Sequence, residues 1–168
     1  MPDIKLTKII QSDFSAIQQL AHKVWHAHYP GIISQRQIDH MLNMQYSQDS
    51  MNKDLASNVT MVKLNVDETL AGFATFGRDK SDQVRAVKLH KLYLLQSFHG
   101  QGLGSMFLQH VENESRNQGF EWIKLNVNKH NRGAVKTYRR NGYRNEKSVL
   151  EPIGLGFYVD DFVMVKKL

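Results

Sequence analysis

The chain has 168 residues, 41% of them apolar, which suits one domain with a full core. Its formal charge of +6 comes from 22 basic and 16 acidic residues; they are dispersed, the nearest cluster being "KTYRRNGYRNEK", so no nucleic-acid partner is expected. Zero cysteines exclude disulfides, thiolate zinc sites and a Cys nucleophile, no apolar run reaches the ~18 residues of a membrane span, and the start "MPDIKLTKII" lacks a signal peptide's apolar core, so a cytoplasmic protein with no membrane partner is expected.

In chain order, "KLTKII" reads as a short strand. Ser12 or Asp13 can cap a helix running to about His28, with Phe14, Ile17, Leu20, Ala21, Val24 and Trp25 on one broad face. "YPG" breaks it. Ser34 can cap a second helix, "QRQIDHMLNM", and "SQDSMNKDLA" suggests a short third. The period then changes. "VTMVKLNV" and "LAGFATFG" read as strands joined by a turn at Asp67 and Glu68, and "QVRAVKLHKLYLL", from Gln83, as a long third strand of an antiparallel meander. The loop "HGQGLGS" leads into a helix with Leu103, Met106, Phe107, His110 and Val111 at helical spacing, closed by Gly119. "EWIKLNV" is a strand and "NRGAVKTYRRN" a helix stopped by Gly142. The remainder reads as two strands around a Gly-rich turn. The centre is therefore strand, loop, helix, strand, with its two strands parallel. A mixed sheet with helices on its faces follows, in a single domain over residues 1–168.

Gly100, Gly102 and Gly104 are three of the chain's 11 glycines within five positions. A helix start exposes unpaired N–H groups and the positive end of the helix dipole, and glycines let an anion reach them. A phosphate or pyrophosphate site is one reading; a tight turn that holds nothing is the other. The P-loop pattern fails, since no Lys-Ser/Thr pair follows the glycines, and so does G-x-G-x-x-G, since the third position after the second glycine is Ser105.

A different pattern, spread over about fifty residues, resembles the GNAT superfamily of acetyl-CoA-dependent N-acetyltransferases. Its first half is the strand end Leu92-Tyr93-Leu94 followed by His99-Gly100-Gln101-Gly102-Leu103-Gly104, where the family has [Q/R]-x-x-G-x-[G/A]; His99 departs from that pattern. Its second half is "LNVNKHNRGAVKTYRRNGYRN", with Asn131, Ala134, Tyr138, Gly142 and Tyr143 at the family's positions. The resemblance covers the whole chain. "WHAHYPGIISQRQIDHML" and "GFYVDDFVMVKKL" look most like bacterial polyamine and amine acetyltransferases.

The resemblance implies an α/β fold of the mixed α+β kind: a central mixed, mostly antiparallel sheet, a splayed parallel strand pair and flanking helices. It implies acetyl-CoA as co-substrate, no metal, and a small-molecule amine acceptor attacked directly in a ternary complex. Backbone groups of Leu92, Tyr93 and Leu94 would bond the cofactor arm and acetyl oxygen. Amides of Gly100, Gln101, Gly102, Leu103, Gly104 and Ser105 would hold the pyrophosphate, with His99 at the loop's head. Asn131 would bond the arm, and Arg139 and Arg140 could meet phosphate or simply form a solvated face. Tyr138, two helical turns from Asn131, would be the general acid; a phenol's ordinary pKa near 10 keeps its proton at neutral pH. Many relatives place a Glu base where this chain has Asn126. His90, on one strand face with Leu92 and Leu94, is the preferred base, against simple filling of a sheet position or a base of water alone. Trp25, His26 and Tyr29 would wall the acceptor pocket, or pack at a helix end, and Asp39, Asp160 and Asp161 could attract a cationic amine, or Asp160 and Asp161 face solvent on a hairpin. A peptide or protein amino group is the alternative acceptor. A silent acyl-CoA-binding module is the alternative of a different class, and a homodimer is compatible with the family.

Overall fold

The computed structural model describes residues 1–81 and 84–168, so Gln83, where the third strand was expected to start, lies outside the described residues. Among these residues the order is β1 (Ile4–Lys8), α1 (Phe14–His28), α2 (Gln35–Tyr46), α3 (Gln48–Ala56), β2 (Val59–Val66), β3 (Thr69–Arg78), β4 (Ala86–Leu94), α4 (Leu103–Asn117), β5 (Trp122–Asn128), α5 (Arg132–Arg140), β6 (Arg144–Pro152) and β7 (Tyr158–Lys167). The strands form one sheet in the order β1-β2-β3-β4-β5-β7-β6. β4 and β5 pair in parallel; β1 with β2, β2 with β3, β5 with β7 and β6 with β7 pair antiparallel. The mixed, mostly antiparallel sheet with flanking helices is therefore present.

Local chemistry sets the helix starts. The Ser34 hydroxyl accepts from Gln37 N at 3.1 Å, so Ser34 caps as expected, and the Ser47 hydroxyl likewise accepts from Ser50 N at 3.1 Å. Asp13 stands at the N-cap of α1 but does not cap with its side chain. Its carboxylate accepts from Ile10 N at 3.0 Å and from Lys63 Nζ at 2.6 Å. β1 is displaced from its expected span: Ile4 pairs with Val66, and the chain leaves the strand after Lys8, with Ile9 N donating to Met61 O at 2.9 Å.

Contacts divide the chain into two compact units. One is Met1–Gly77 with Lys91–Gly104; the other is Arg78–His90 with Ser105–Leu168. In the first, Phe14, Ile17, Leu20, Ala21 and Trp25 from α1 meet Ile38, Leu42 and Tyr46 from α2, Met51 from α3, and Met61 and Phe73 from the sheet. Burying each large apolar side chain contributes about 1.5–3 kcal/mol, and this face, not helix propensity, holds α1 in place. In the second unit the buried residues include Val87 and Leu89 of β4, Phe107, Leu108 and Val111 of α4, Ile123 and Leu125 of β5, and Met164 and Val165 of β7.

The parallel register runs from Ala86↔Trp122 to Leu89↔Leu125, and β4 continues five residues beyond it, to Leu94. Glycine at position 72 of β3 makes room for that extension. A Cβ there would stand 2.6 Å from Leu94 Cδ2 and collide with the Tyr93 carbonyl oxygen. Backbone cannot yield as a flexible side chain can, so Gly72→Ala is expected to shift the end of β4 and cost about 1–3 kcal/mol in urea denaturation.

Candidate functional site

The loop after β4 is built from local hydrogen bonds. Leu95 N donates to Ala71 O at 2.9 Å, and a short 3-10 turn follows over Gln96–Phe98. His99 Nε2 lies 3.0 Å from Leu94 O. A carbonyl only accepts, so this contact selects the tautomer with hydrogen on Nε2. The departure at His99 thus has a structural use: its ring ties the loop back to the strand. Gln101 Nε2 donates to Ser97 O at 3.0 Å.

Gly100 and Gly102 have φ of +75° and +77°, and nothing lies within 4 Å of a Cβ placed on either. The glycines are needed for the turn's backbone conformation, and the space above them is open. Beyond them α4 begins, whose first-turn amides have no acceptor within the helix. An anionic group can reach this cradle, so the residues fit the diphosphate of a coenzyme. Gly104 is different: its Cβ would lie 3.7 Å from Leu94 Cδ1, in ordinary contact.

Leu92, Tyr93 and Leu94 are half-buried. Tyr93 joins an aromatic group in the first unit, 5.9 Å from the Trp25 ring and 5.7 Å from Phe73. Trp25 is only 1% exposed, so it is a core residue, and Tyr29 stacks against it at 4.5 Å from a half-buried position. Trp25 Nε1 and the Tyr46 hydroxyl are both buried without a hydrogen bond of good geometry. Lys91 holds the neighbouring stretch. It donates to Gln45 O at 3.1 Å, lies 3.6 Å from Asp54 and sits over the Tyr46 ring at 4.5 Å, with its pKa lowered by burial.

In the second unit, Asn131 is the N-cap of α5, its Oδ1 accepting from Ala134 N at 3.3 Å. That use commits the side-chain oxygen and turns the amide hydrogens to other acceptors. Tyr138 is half-buried, its ring 5.7 Å from Tyr143. Tyr143 in turn donates its hydroxyl to Glu112 Oε1 at 3.0 Å, while Lys166 Nζ donates to Oε2 at 2.8 Å. Glu112 is 4% exposed. Burial and the Glu112 carboxylate push the Tyr143 pKa upward, so the phenol stays a donor. This network ties α4 to the segment after α5 and to β7, and nothing in the local sequence pattern announced it.

Arg140 is exposed, and with Arg132, Lys136 and Arg139 it occupies an arc of about 100° on α5, away from Asn131 and Tyr138. These four cations, with Lys129, Val135 and Phe162, line a groove of about 550 Å³. Lys129 is paired with Asp160 at 2.6 Å. His90 is exposed, one residue past the parallel register. The His22 and His26 rings are 5.9 Å apart, and among the described residues no three His, Cys, Asp or Glu side chains gather as a metal site would require.

The family model for the acetyltransferase (GNAT) domain matches residues 31–158. A spermidine N(1)-acetyltransferase of Thermoplasma acidophilum is 24% identical over 169 residues, covering 98% of this chain and 97% of that one. The crystal structure of the PaiA N-acetyltransferase of Thermoplasma acidophilum, in complex with coenzyme A, superposes with a TM-score of 0.84 at 22% identity, over 99% of both chains. A chimera of the Vibrio cholerae spermidine N-acetyltransferase SpeG and hSSAT gives 0.69 at 17% identity, over 96% of this chain and 93% of that one.

Glu112→Ala leaves the Tyr143 hydroxyl and the Lys166 ammonium without their acceptor. It is expected to destabilise the fold by about 3 kcal/mol, whereas Tyr143→Phe costs nearer 1 kcal/mol; urea denaturation of the two variants checks the ranking.

Proposed function

The chain belongs to the GNAT acetyltransferase family, and we propose that it transfers the acetyl group of acetyl-CoA to a primary amine of a small polyamine. The observation that carries this is the open glycine cradle between the end of β4 and the start of α4. The end-to-end similarity to a spermidine acetyltransferase favours a polyamine over a peptide amino group.

Acetyl-CoA supplies a thioester carbonyl that an uncharged amine can attack. Amides of Gly100–Ser105 bind the diphosphate, with Arg140 adding positive charge. Main-chain groups of Leu92, Tyr93 and Leu94 would align the arm, and an N–H among them directed at the carbonyl oxygen would stabilise the charge that develops there. Asn131 donates its amide hydrogens to the arm. Tyr138, its ring set against Tyr143, gives its phenolic proton to the departing sulfur. Tyr29 and the aromatic group around Trp25 shape the acceptor side. His90 and Asp161 share one sheet face, and either could take a proton from the amine. With no cysteine in the chain, transfer through a Cys acyl-enzyme is excluded, and the amine attacks the thioester directly in the proposed reaction.

Acetyl-CoA is expected to raise the melting temperature, because it binds the folded state selectively. Spermidine and related polyamines should release free CoA thiol in a colorimetric assay, with amino-terminal peptides as the comparison; turnover only with peptides would overturn the acceptor assignment. Tyr138→Phe should slow turnover by roughly 100-fold with little change in acetyl-CoA affinity.

A further inference from the structure

Resting on the amine-acetylating function proposed for the chain, we infer that Asp161 takes the proton from the acceptor's ammonium, with Asn126 holding its carboxylate in place. Strand register puts the necessary groups together. Asn128 of β5 is opposite Asp161 of β7, so these two side chains share a face, and Asn126, two residues earlier, shares it too. On the other side of β5, Lys88 pairs with Lys124, which places Lys88 and then His90 on this same face. The alternate positions, Val87, Leu89, Ile123 and Leu125, are buried on the opposite face.

The register sets Asn126 diagonal to Asp161 on this face, within side-chain reach, and its amide lowers the Asp161 pKa. A carboxylate can only accept, so the Asn126 amide donates. One such bond fixes the carboxylate while leaving most of its acceptor capacity for an ammonium. The neighbouring Asp160 is differently placed: its carboxylate is tied to Lys129 at 2.6 Å. Lys124, on the same face, is paired with Glu146 at 3.6 Å. Asp161 is half-buried, whereas His90 is exposed to water. An acid is missing from β5 at Asn126, and the adjacent strand supplies one beside it.

The surrounding groups tune this carboxyl. Its pKa is pushed up to about 6, chiefly by burial and with Glu151 on β6 and Asp160 adding to it, against the Asn126 amide and Lys88 on β4, which pull it down. A raised carboxyl pKa keeps the protonated, non-accepting form up to that pH, so activity should rise as pH passes upward through about 6. In the step itself, the ammonium gives one proton to Asp161, which passes it to solvent. The nitrogen–carbon bond forms and the carbon–sulfur bond breaks. The adduct nitrogen loses a second proton, and the leaving sulfur gains one. Ammonium and thioester thus become amide, thiol and one released proton.

Asp161→Asn tests this at pH 7 with two acceptors, spermidine and a weakly basic amine that is already neutral. With spermidine, kcat/KM should fall by about 100-fold or more while acetyl-CoA affinity changes less than about twofold; with the weakly basic amine the loss should shrink to about tenfold or less. Asp161→Glu, which keeps a carboxylate, should retain the acid limb. Glu151→Gln should move that limb to lower pH and Lys88→Ala to higher pH, and a carbon-13 NMR titration of the Asp161 carboxyl should show the same two shifts without any substrate. Equal losses with both amines would mark a structural role and overturn the inference. So would an Asp161→Asn enzyme as active as the parent. A parent chain that acetylates no amine at all would overturn the transferase function itself, which the two-acceptor comparison distinguishes from the failure of Asp161 alone.

Discussion

Four residue pairs, Ala86 with Trp122 through Leu89 with Leu125, are where β4 and β5 lie side by side, and the placement of the site follows from where that register ends. A strand that outruns its parallel partner still carries an N–H and a C=O at each residue, and each needs a partner. β4 outruns β5's register by five residues, His90 to Leu94, and enters the glycine cradle directly afterwards. Gly72 lets β3 approach this extension, and the bonds from His99 to Leu94 O and from Leu95 to Ala71 O fix its end. An extended acyl-carrying arm is the kind of ligand that can add itself to such a strand through main-chain hydrogen bonds. In the proposed function the glycines and the strand act together: the loop would hold charge and the strand would hold the arm.

Most of the elements were legible in the residues because their signals are local. Alternation over Val59–Val66 marks β2 to its ends, and Ser34 and Ser47 mark two helix starts by a hydroxyl that needs an amide three residues on. Positive φ at Gly119 and Gly142 likewise fits the expected helix stops. Where the expectation slipped, a distant partner decided. β1 begins at Ile4 because Val66 is there to pair with it, not because of anything in the first ten residues.

The site shows the same division. Its glycine loop could be read from spacing, since helix-start chemistry is local. The Glu112–Tyr143–Lys166 network could not: its members are 31 and 54 residues apart, and each alone looks like a surface charge or a packing aromatic. Gly72 looked like an ordinary strand glycine until the Tyr93 carbonyl was placed against it. Asp161 was legible only as a carboxylate that a cationic amine could meet. Its partnership with Asn126 depends on the β5–β7 register, which composition does not encode.

That register also sorts charge. Phe162 and Asp161 are consecutive in β7, so they point to opposite faces of the sheet. Phe162 lines the groove with Lys129, Arg132, Lys136, Arg139 and Arg140, whereas Asp161 shares the other face with Asn126 and lies in the field of Glu151. The proposed reaction, between a phosphate-bearing thioester and a polycationic amine, needs opposite local fields for its two reactants, and a protein of uniform positive charge would repel one of them. A net charge of +6 is therefore less informative than its partition. A single step along one strand separates the cation-rich surface from the carboxylate. Were Asp161 on the Phe162 face instead, the cations of α5 would hold it ionised by pairing with it, and it would have little left to offer an ammonium.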